Sequence, residues 1–392
     1  MAYSAGAVER AMKVQEVILR ALSGQLTWVQ AADILGRSPR SIRRMRWRFE
    51  HRGYDGLLDH RRRTPSPKRA PVAEVERMLR LYRERYRDFN VRHFVRIARR
   101  RHQVTFCYAF VRKALQGAGL VAKQRPRGRH RRRREPRPCF GELLHLDGSR
   151  HQWLALVPEQ WLTLIVVVDD ATKQVLYAQF SDGGESTAAV MTALATVLRT
   201  VGVPMALYTD RAHWAAHTPV AGAAADRRKL TQVGRALAQL GIEHILGYSP
   251  QARGRSERMN RTWQGRLVNE LRVAGITTVG AANRYIREQF LPAFNEEFGR
   301  PPADPASAFV PLGRVDLEQI LCHQEERVVA RDNTITLGGV VLQLAKQPGR
   351  RSCAGLRLLV RRHLDGRHSL WLGSRRLGLY DARGRVLASL AA

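Results

Sequence analysis

The sequence predicts a multidomain protein with helical units at the amino terminus, an α/β domain with a mixed sheet in the middle, and a small β-barrel at the end. The length of 392 residues suits two or three domains of ordinary size. Apolar residues recur at helical spacing up to about residue 120 and in short alternating runs after residue 140. The charge is uneven, because 36 of the 67 Lys and Arg residues, but only 11 of the 34 Asp and Glu residues, lie in residues 1–140. A front part this basic favours a polyanionic partner, and nucleic acid is the leading candidate.

The first predicted domain, residues 1–60, contains a helix-turn-helix pattern. Thr27 and Gln30 have the spacing of a capping box that opens one short helix. Ser38 followed by Pro39 then starts a second helix, because proline is favourable at a first helical position. In a helix-turn-helix the second helix enters the major groove of DNA, whereas the alternative is a basic surface helix in a small bundle. The DNA-binding candidates on this helix are Arg40, Arg43, Arg44, Arg46 and Arg48.

A second helical DNA-binding domain, of the helix-turn-helix or winged-helix type, is predicted for residues 72–120. A basic linker arm, residues 121–139, follows it. Its segment "KQRPRGRHRRRREPR" holds nine Lys and Arg residues in fifteen, so it is expected to lie extended along DNA phosphates. The DNA-binding candidates in this arm are Arg131, Arg132 and Arg133.

The chain from residue 140 onward predicts sheet structure. In residues 140–299 three strands, a helix, a strand, a second helix and a further strand indicate an α/β domain with a mixed sheet, closed by two long helices. Residues 313–392 contain short strands with Gly-rich turns, which predict the small β-barrel, with a sandwich as the alternative.

Three carboxylates are candidate catalytic and metal-binding residues. Asp147 ends the strand pattern "LLHLDGS", Asp210 ends "MALYTD", and Glu257 stands among arginines in "SPQARGRSERMNRTW". Ligand sites of α/β sheets lie at strand ends, so the two aspartates are expected near one edge. With a glutamate from a helix they would hold two Mg²⁺ (or Mn²⁺) ions about 3.5–4 Å apart, since such ions prefer carboxylate oxygens.

Each carboxylate also has a purely structural interpretation. These are a turn cap for Asp147, and an ion pair with a nearby arginine for Asp210 and for Glu257. Asp169 and Asp170 also end a strand, and their sequence "DDAT" is typical of a hairpin turn. The residues by themselves leave these alternatives open.

Four segments together resemble the integrase-type catalytic core of bacterial insertion-sequence transposases, most closely the ISNCY group. They are "HLDGSRHQWL", "LIVVVDDATKQVLYAQF", "GVPMALYTDRA" and "SPQARGRSERMNRTWQGRLVNELR". The resemblance implies a ribonuclease H-like fold for residues 140–299 and a D, D, E triad of Asp147, Asp210 and Glu257, spaced by 63 and 47 residues. It also implies that Arg253 and Arg255 reach the DNA strand beside the cleaved bond.

The activity implied by the resemblance is that of a DDE transposase. Such an enzyme binds the terminal inverted repeats of an insertion sequence, cleaves phosphodiester bonds at the element ends, and joins the 3′-hydroxyl to target DNA by two-metal catalysis. Double-stranded DNA is the expected partner, and a homo-oligomer is expected on DNA because two ends must be held together. The alternatives are a DNA-binding regulator with an inert integrase-like core, or a nuclease that cuts without joining.

Other function classes have little support in the sequence. The longest apolar run, "WLTLIVVV", is shorter than the roughly 20 residues that span a bilayer, and no secretory signal pattern opens the chain. The four cysteines lack Cys-x-x-Cys spacing. His213 and His217 are four residues apart, but no glutamate adjoins the first, so a zinc site is disfavoured. We therefore expect a bacterial cytoplasmic protein associated with the nucleoid, without membrane partners.

Overall fold

The structure is a computed structural model that describes most of the chain. The chain forms two compact units, Met1–Arg77 and Met78–Ala392. None of the described helices is long and apolar enough to cross a lipid bilayer. The described residues are 3–59, 69–123, 135–181, 183–217, 229–247 and 259–388.

The described part of the amino-terminal unit packs three helices around a small core: α1 (Ala5–Leu22), α2 (Trp28–Ile34) and α3 (Pro39–Arg52). The predicted capping box opens α2, since the Thr27 side chain accepts from the Gln30 N–H and the Gln30 side chain accepts from the Thr27 N–H. The Ser38 side chain caps α3, whose first residue is the predicted proline. Ile42 of α3 is fully buried against α1 and α2. Local capping chemistry therefore sets the start of both helices.

Three further helices follow: α4 (Val72–Glu84), α5 (Val91–His102) and α6 (Tyr108–Gly117). The side chain of Asn90 caps α5 by accepting from the His93 N–H at 2.9 Å. The helix ends at Gln103, which adopts the left-handed conformation with φ of 54°. The α5–turn–α6 arrangement is the one expected from the sequence, and its role as a second DNA-binding domain stays a prediction.

The centre of the second unit is a five-stranded mixed sheet. Its strand order is β4-β3-β2-β5-β6, with β4, β3 and β2 antiparallel and β2, β5 and β6 parallel. The predicted mixed sheet is therefore confirmed. The elements are β1 (Cys139–Phe140), β2 (Leu144–His151), β3 (Leu162–Asp169), β4 (Val175–Ser181), α7 (Thr187–Thr200), β5 (Ala206–Thr209), α8 (Gln232–Gln239) and β6 (Glu243–Leu246). The short β1 pairs in parallel with β7 (Asp304–Ser307), outside this sheet.

Helices cover both faces of this sheet, which explains why β3 is buried along its whole length. On the face that we term the rear face, Leu146 and Val167 pack with α7 and α8. On the opposite, front face, Leu164 and Val166 pack with helices that follow residue 259. Successive residues of a strand point to opposite faces, so each strand residue can be assigned to one of the two cores.

The helices of the front face are α9 (259–264 as far as it is described), α10 (Leu267–Val273), α11 (Val279–Tyr285) and α12 (Leu291–Phe298). The first of the two predicted long helices is interrupted by a turn at residues 265–266. The second continues from α11 to α12 through a π-helical turn, Ile286–Phe290. Pro292 lies at the start of α12 and has no N–H for the regular helical bond, which is a known cause of such a local change.

A buried hydrogen-bonded group joins α5 to the front-face helices. His93 Nε2 lies 2.7 Å from Glu270 Oε1, and the Tyr285 hydroxyl donates to Glu270 Oε2 at 2.7 Å. Burial raises the pKa of Glu270, but the hydrogen bonds from His93 and Tyr285 outweigh it, so the net pKa is lowered. Burial, followed by the nearby Glu270 charge, raises the pKa of Tyr285. The neutral phenol therefore supports an ionised Glu270.

A second buried group lies beside the first. Arg266 is only 5% exposed, and its guanidinium donates to both carboxylate oxygens of Glu297, at 2.5 and 2.9 Å. Arg96 of α5 also contacts Glu297 and donates to Glu296 at 3.1 Å. A cavity of about 480 Å³ opens between these groups. Helix α5 is thus held on the core by charged contacts as well as by apolar packing.

The carboxyl-terminal region is an open antiparallel sheet with a packed hairpin. The sheet order is β14-β13-β12-β11-β8, and the hairpin β9-β10 is separate. The prediction of a small barrel is therefore wrong for the described residues: no hydrogen bonding closes β14 onto β8, and the hairpin and sheet share one core around Leu342, Leu358 and Leu370. The elements are α13 (Leu317–Ile320), β8 (His323–Val328), β9 (Thr334–Leu337), β10 (Val340–Gln343), β11 (Arg357–Arg362), β12 (His368–Leu372), β13 (Arg375–Tyr380) and β14 (Val386–Ala388).

Candidate active site

The two candidate aspartates lie at matching positions of neighbouring parallel strands. In the β2–β5 pairing, Leu144 is opposite Leu207 and His145 is opposite Tyr208. Asp147 comes two residues after His145, and Asp210 comes two residues after Tyr208. Continued in extended backbone beyond the recorded pairing, the same step of two residues predicts both carboxylates on one side of strands that are about 4.8 Å apart. The sheet register therefore predicts that the two aspartates lie close together.

The Asp147 side chain belongs to the front face. Asp147 is opposite Val166, a front-face residue, in the β2–β3 pairing. On α9 the Asn260 side-chain amide donates to Asp147 Oδ2 at 2.8 Å, and the Gln264 amide donates to Ser149 Oγ at 3.2 Å. Residues four apart on a helix therefore contact residues two apart on β2, which docks α9 along the strand that carries Asp147.

The Asp210 carboxylate shapes the turn that follows β5. Its Oδ1 accepts from the Ala212 N–H at 2.9 Å. The buried Thr209 hydroxyl donates to the Asp210 carbonyl at 2.9 Å and lies 2.9 Å from His244 Nε2. Burial lowers the pKa of His244 to about 4, so its imidazole is neutral near pH 7 and donates through Nε2–H. His244 and Thr209 thus fix the backbone at Asp210.

The two neighbouring acids at the end of β3 have structural roles. Asp169 is fully buried and accepts from the Gly141 N–H and from the N–H and hydroxyl of Thr172, at 2.7 to 2.9 Å. Asp170 is 2% exposed and accepts from the Arg137 N–H, while its Oδ1 lies 2.9 Å from His145 Nε2. The predicted hairpin turn at "DDAT" is confirmed, because these contacts organise the connection from β3 to β4.

Several predicted site residues lie outside the described residues. They are the carboxylate Glu257, its neighbours Arg253 and Arg255, and the arm residues Arg131, Arg132 and Arg133. Their assigned roles stay predictions.

The arginines of α3 differ in their surroundings. The exposed ones are Arg40, Arg43, Arg44 and Arg48. Arg46 is half-buried, its Nε donates to Glu50 Oε1 at 2.6 Å, and its guanidinium lies 4.9 Å from the Trp28 ring centroid. Arg46 therefore supports the packing of α3 on α2, whereas the four exposed arginines present their charge to solvent.

Metal-ligating side chains are sparse in the part of the chain that is described. No group of three or more His, Cys, Asp or Glu side chains in those residues is arranged to hold a metal ion. Asp147 and Asp210 together offer hard carboxylate oxygens, the ligand type that Mg²⁺ prefers, so the two fit part of a magnesium site.

The sequence did not reveal two residues that contact this site. Asn260 lies in the quoted motif, three residues after Glu257, and this helical spacing from a predicted ligand was a usable signal. His244 lies in an ordinary strand pattern, and nothing in its local sequence distinguishes it from a core histidine.

Comparison with known proteins identifies the amino-terminal region and the family. Residues 15–76 match the family model described as winged helix-turn helix, which confirms a helix-turn-helix DNA-binding region. A chain from a cryo-EM structure of the simian T-cell lymphotropic virus intasome in complex with PP2A regulatory subunit B56 gamma aligns at 14% identity, over 79% of this chain and 99% of its own. Its TM-score of 0.29 is too low to carry an argument about fold.

Two relatives match over most of the chain. The "Putative transposase y4bF" of Sinorhizobium fredii (strain NBRC 101917 / NGR234) is 30% identical over 371 residues, covering 93% of this chain and 79% of the relative. The transposase for insertion sequence IS1202 of Streptococcus pneumoniae is 29% identical over 325 residues, covering 72% of this chain and 67% of the relative. The chain belongs to the transposase family that includes these proteins.

Proposed function

We propose that this transposase is a DDE enzyme that binds the terminal inverted repeats of an insertion sequence, cleaves at the element ends and joins the 3′-hydroxyl to target DNA. The observation that carries the proposal is the parallel register of β2 and β5, from which we infer that Asp147 on β2 and Asp210 just after β5 lie on one side of the sheet. The order β4-β3-β2-β5-β6, with the antiparallel strands on one side and the parallel strands on the other, is consistent with the ribonuclease H-like core implied by the sequence.

Chain connectivity supports Glu257 as the third carboxylate. Asn260 donates to Asp147, and Glu257 comes three residues earlier in the sequence. On this sequence proximity we assign Glu257 to the aspartate pair as the third carboxylate.

The carboxylates are suited to phosphodiester chemistry. Two Mg²⁺ or Mn²⁺ ions held by Asp147, Asp210 and Glu257 would lower the pKa of the attacking water or 3′-hydroxyl and stabilise charge on the leaving oxygen. The protein's own contribution is orientation. Asn260 directs one oxygen of Asp147, and the Ala212 N–H directs one oxygen of Asp210.

The DNA contacts are assigned to the basic regions. The exposed α3 arginines would contact the element end in the major groove or along its phosphates. The arm at 121–139 would neutralise phosphates, and Arg253 and Arg255 would hold the strand beside the cleaved bond. Both element ends must be held at once for joining, so the active form on DNA is expected to be a homo-oligomer.

The test is an in vitro reaction on labelled duplexes that carry the host element's end sequence, with Mg²⁺ or with EDTA. The wild type is compared with Asp147→Asn, Asp210→Asn and Glu257→Gln, and DNA affinity is measured in parallel by fluorescence anisotropy. Glu243→Gln is the matched control, because Glu243 is an exposed acid at the opposite end of the parallel strands. We expect metal-dependent nicking and joined products from the wild type and the control. The three site variants should give no more product with Mg²⁺ than the wild type gives with EDTA.

The alternatives give different products in the same reaction. Tight binding of the element end without metal-dependent cleavage would identify a DNA-binding regulator with an inert core. Cleavage without any product that links an element end to a second duplex would identify a nuclease. Either result would overturn the proposed transposition chemistry.

A further inference from the structure

A half-buried glutamate, Glu185, lies directly behind the strand that carries Asp147. A β-carbon added at Gly148 would lie 2.6 Å from Glu185 Cδ and 2.7 Å from Oε2, which is closer than real contacts allow. Gly148 has no positive φ that would require glycine. The absence of a side chain at residue 148 therefore makes room for the Glu185 carboxylate.

The same carboxylate is bonded to the turn that follows Asp210. Trp214 is 2% exposed, belongs to the rear-face core, and donates from Nε1 to Glu185 Oε1 at 3.1 Å. The Ala212 carbonyl accepts from the N–H groups of Ala215 and Ala216, so the turn around Trp214 is compact. Glu185 thus places one oxygen in the space beside Gly148 of the Asp147 strand and accepts from the Asp210 turn through the other.

The support of Glu185 is rigid. It immediately precedes α7, whose start is capped by the Ser186 side chain. Val190 and Met191 of α7 are buried in the rear-face core. A carboxylate next to the start of such a helix can fix the distance between Gly148 and Trp214, which lie on either side of it.

The location of Glu185 excludes a role as a direct ligand beside the aspartates. Gly148 follows Asp147 and points to the opposite face of the strand. Asp147 faces α9 on the front face, whereas Glu185 approaches from the rear face. Its contribution must therefore act through the backbone of β2 and through Trp214.

We propose that Glu185 is a positioning residue that fixes the separation of Asp147 and Asp210 by bracing Gly148 and Trp214 from behind the sheet. This inference rests on the proposed function, since it concerns the carboxylate pair assigned to the metal site. This role requires a side chain of the right volume with a hydrogen-bond acceptor but does not require a negative charge. A glutamine at residue 185 should therefore retain it.

The test is Mn²⁺ binding to the full-length protein, measured by electron paramagnetic resonance, together with DNA cleavage. Substitutions that disturb the support of metal ligands typically weaken affinity 10- to 100-fold, and we expect about this loss for Glu185→Ala. A smaller loss is expected for Gly148→Ala, because the end of the flexible Glu185 side chain can move away from the new methyl group. Glu185→Gln should bind Mn²⁺ within about threefold of the wild type, because its amide oxygen can still accept from Trp214. Gly183→Ala is the matched control, since a β-carbon there meets no atom within 4 Å.

The double variant Gly148→Ala/Glu185→Ala and the two single variants form a double-mutant cycle. Removing the Glu185 side chain leaves room for the new methyl group, so the double variant should bind Mn²⁺ no worse than Glu185→Ala alone. Circular dichroism establishes that each variant is folded, and Glu185→Gln tests the proposal if the alanine variants fail to fold.

The outcomes separate this inference from the proposed function. If Glu185→Ala bound Mn²⁺ and cleaved DNA as well as the wild type, the inference alone would be overturned. The same conclusion would follow if the losses of Mn²⁺ affinity were additive in the double variant, or if Glu185→Gln bound Mn²⁺ as weakly as Glu185→Ala. A wild type that neither binds Mn²⁺ nor cuts DNA would refute the proposed function and this inference with it.

Discussion

Two asparagine side chains cover the outer edge of the central sheet. Asn295 of α12 accepts from the Val175 N–H at 2.9 Å and donates to the Val175 carbonyl at 2.9 Å. Asn283 of α11 makes the same pair of bonds with Phe180, at 2.7 and 3.2 Å. Each amide takes the place of one residue of a neighbouring strand, so β4 does not present these backbone groups for pairing with another chain.

The cost of removing one amide follows from these contacts. Asn295→Ala deletes two hydrogen bonds and leaves the backbone N–H and C=O of Val175 without those partners, and Val175 is only 1% exposed. Each lost bond costs about 1 kcal/mol, and a buried group left unsatisfied costs up to about 2 kcal/mol, so the expected total is about 2–4 kcal/mol. Asn269→Ala is the control, because Asn269 is not buried and its two hydrogen bonds are long, at 3.3 and 3.4 Å.

Hydrogen exchange at the Val175 amide measures this loss directly, and urea unfolding monitored by tryptophan fluorescence measures it globally. A loss of 2–4 kcal/mol corresponds to exchange roughly 30- to 700-fold faster, since 1.4 kcal/mol is a factor of ten. The Asn269→Ala control should stay within about 0.5 kcal/mol of the wild type. If Asn295→Ala also stayed within that range, the two bonds to β4 would contribute nothing measurable and the reasoning would be refuted.

Three further predictions concern charged groups. Glu297→Gln should destabilise the protein by about 3 kcal/mol in thermal denaturation at neutral pH, because it leaves the buried Arg266 without its anionic partner; an unchanged melting temperature would contradict this. The pKa of His244 is lower in the folded protein than in the unfolded chain, so the free energy of unfolding should fall by about 3 kcal/mol from pH 6.5 to pH 4. Urea titrations of His244→Gln should lack this contribution to the pH dependence. Arg44→Ala should weaken DNA binding and reduce the slope of log affinity against log salt by about 1, whereas Arg46→Ala, whose charge already pairs with Glu50, should change that slope less.

Short-range chemistry made much of this fold predictable. The capping residues Thr27 and Ser38 act within three residues of their partners, so both helix starts can be located from sequence. Apolar residues in continuous or alternating runs predict the strands β2 and β5, and Asp210 directly follows β5 as expected. The prediction that Asp147 ends its strand is wrong, because β2 continues to His151.

Contacts between distant residues were beyond sequence reasoning. Asn295 and Val175 are 120 residues apart, and neither residue type signals the pairing. Glu185 and Gly148 meet only because α7 packs on the rear face. The carboxyl-terminal strands alternate as barrel strands do, but whether their edges close depends on strand register and sheet curvature, which alternation does not encode.

The register of β2 decides whether a site exists at all. A slip of one residue against β5 would turn Asp147 to the rear face and destroy its match with Asp210. Three contacts oppose this slip: the eight-residue pairing with β3, the bond between His145 and Asp170, and the Glu185 carboxylate fitted against Gly148. A β-carbon at that point of the strand would require the end of the Glu185 side chain to move, so the contact behind the sheet also favours one register of β2. The position of the aspartate pair is therefore determined by structural residues on the opposite face as much as by the strand that carries it.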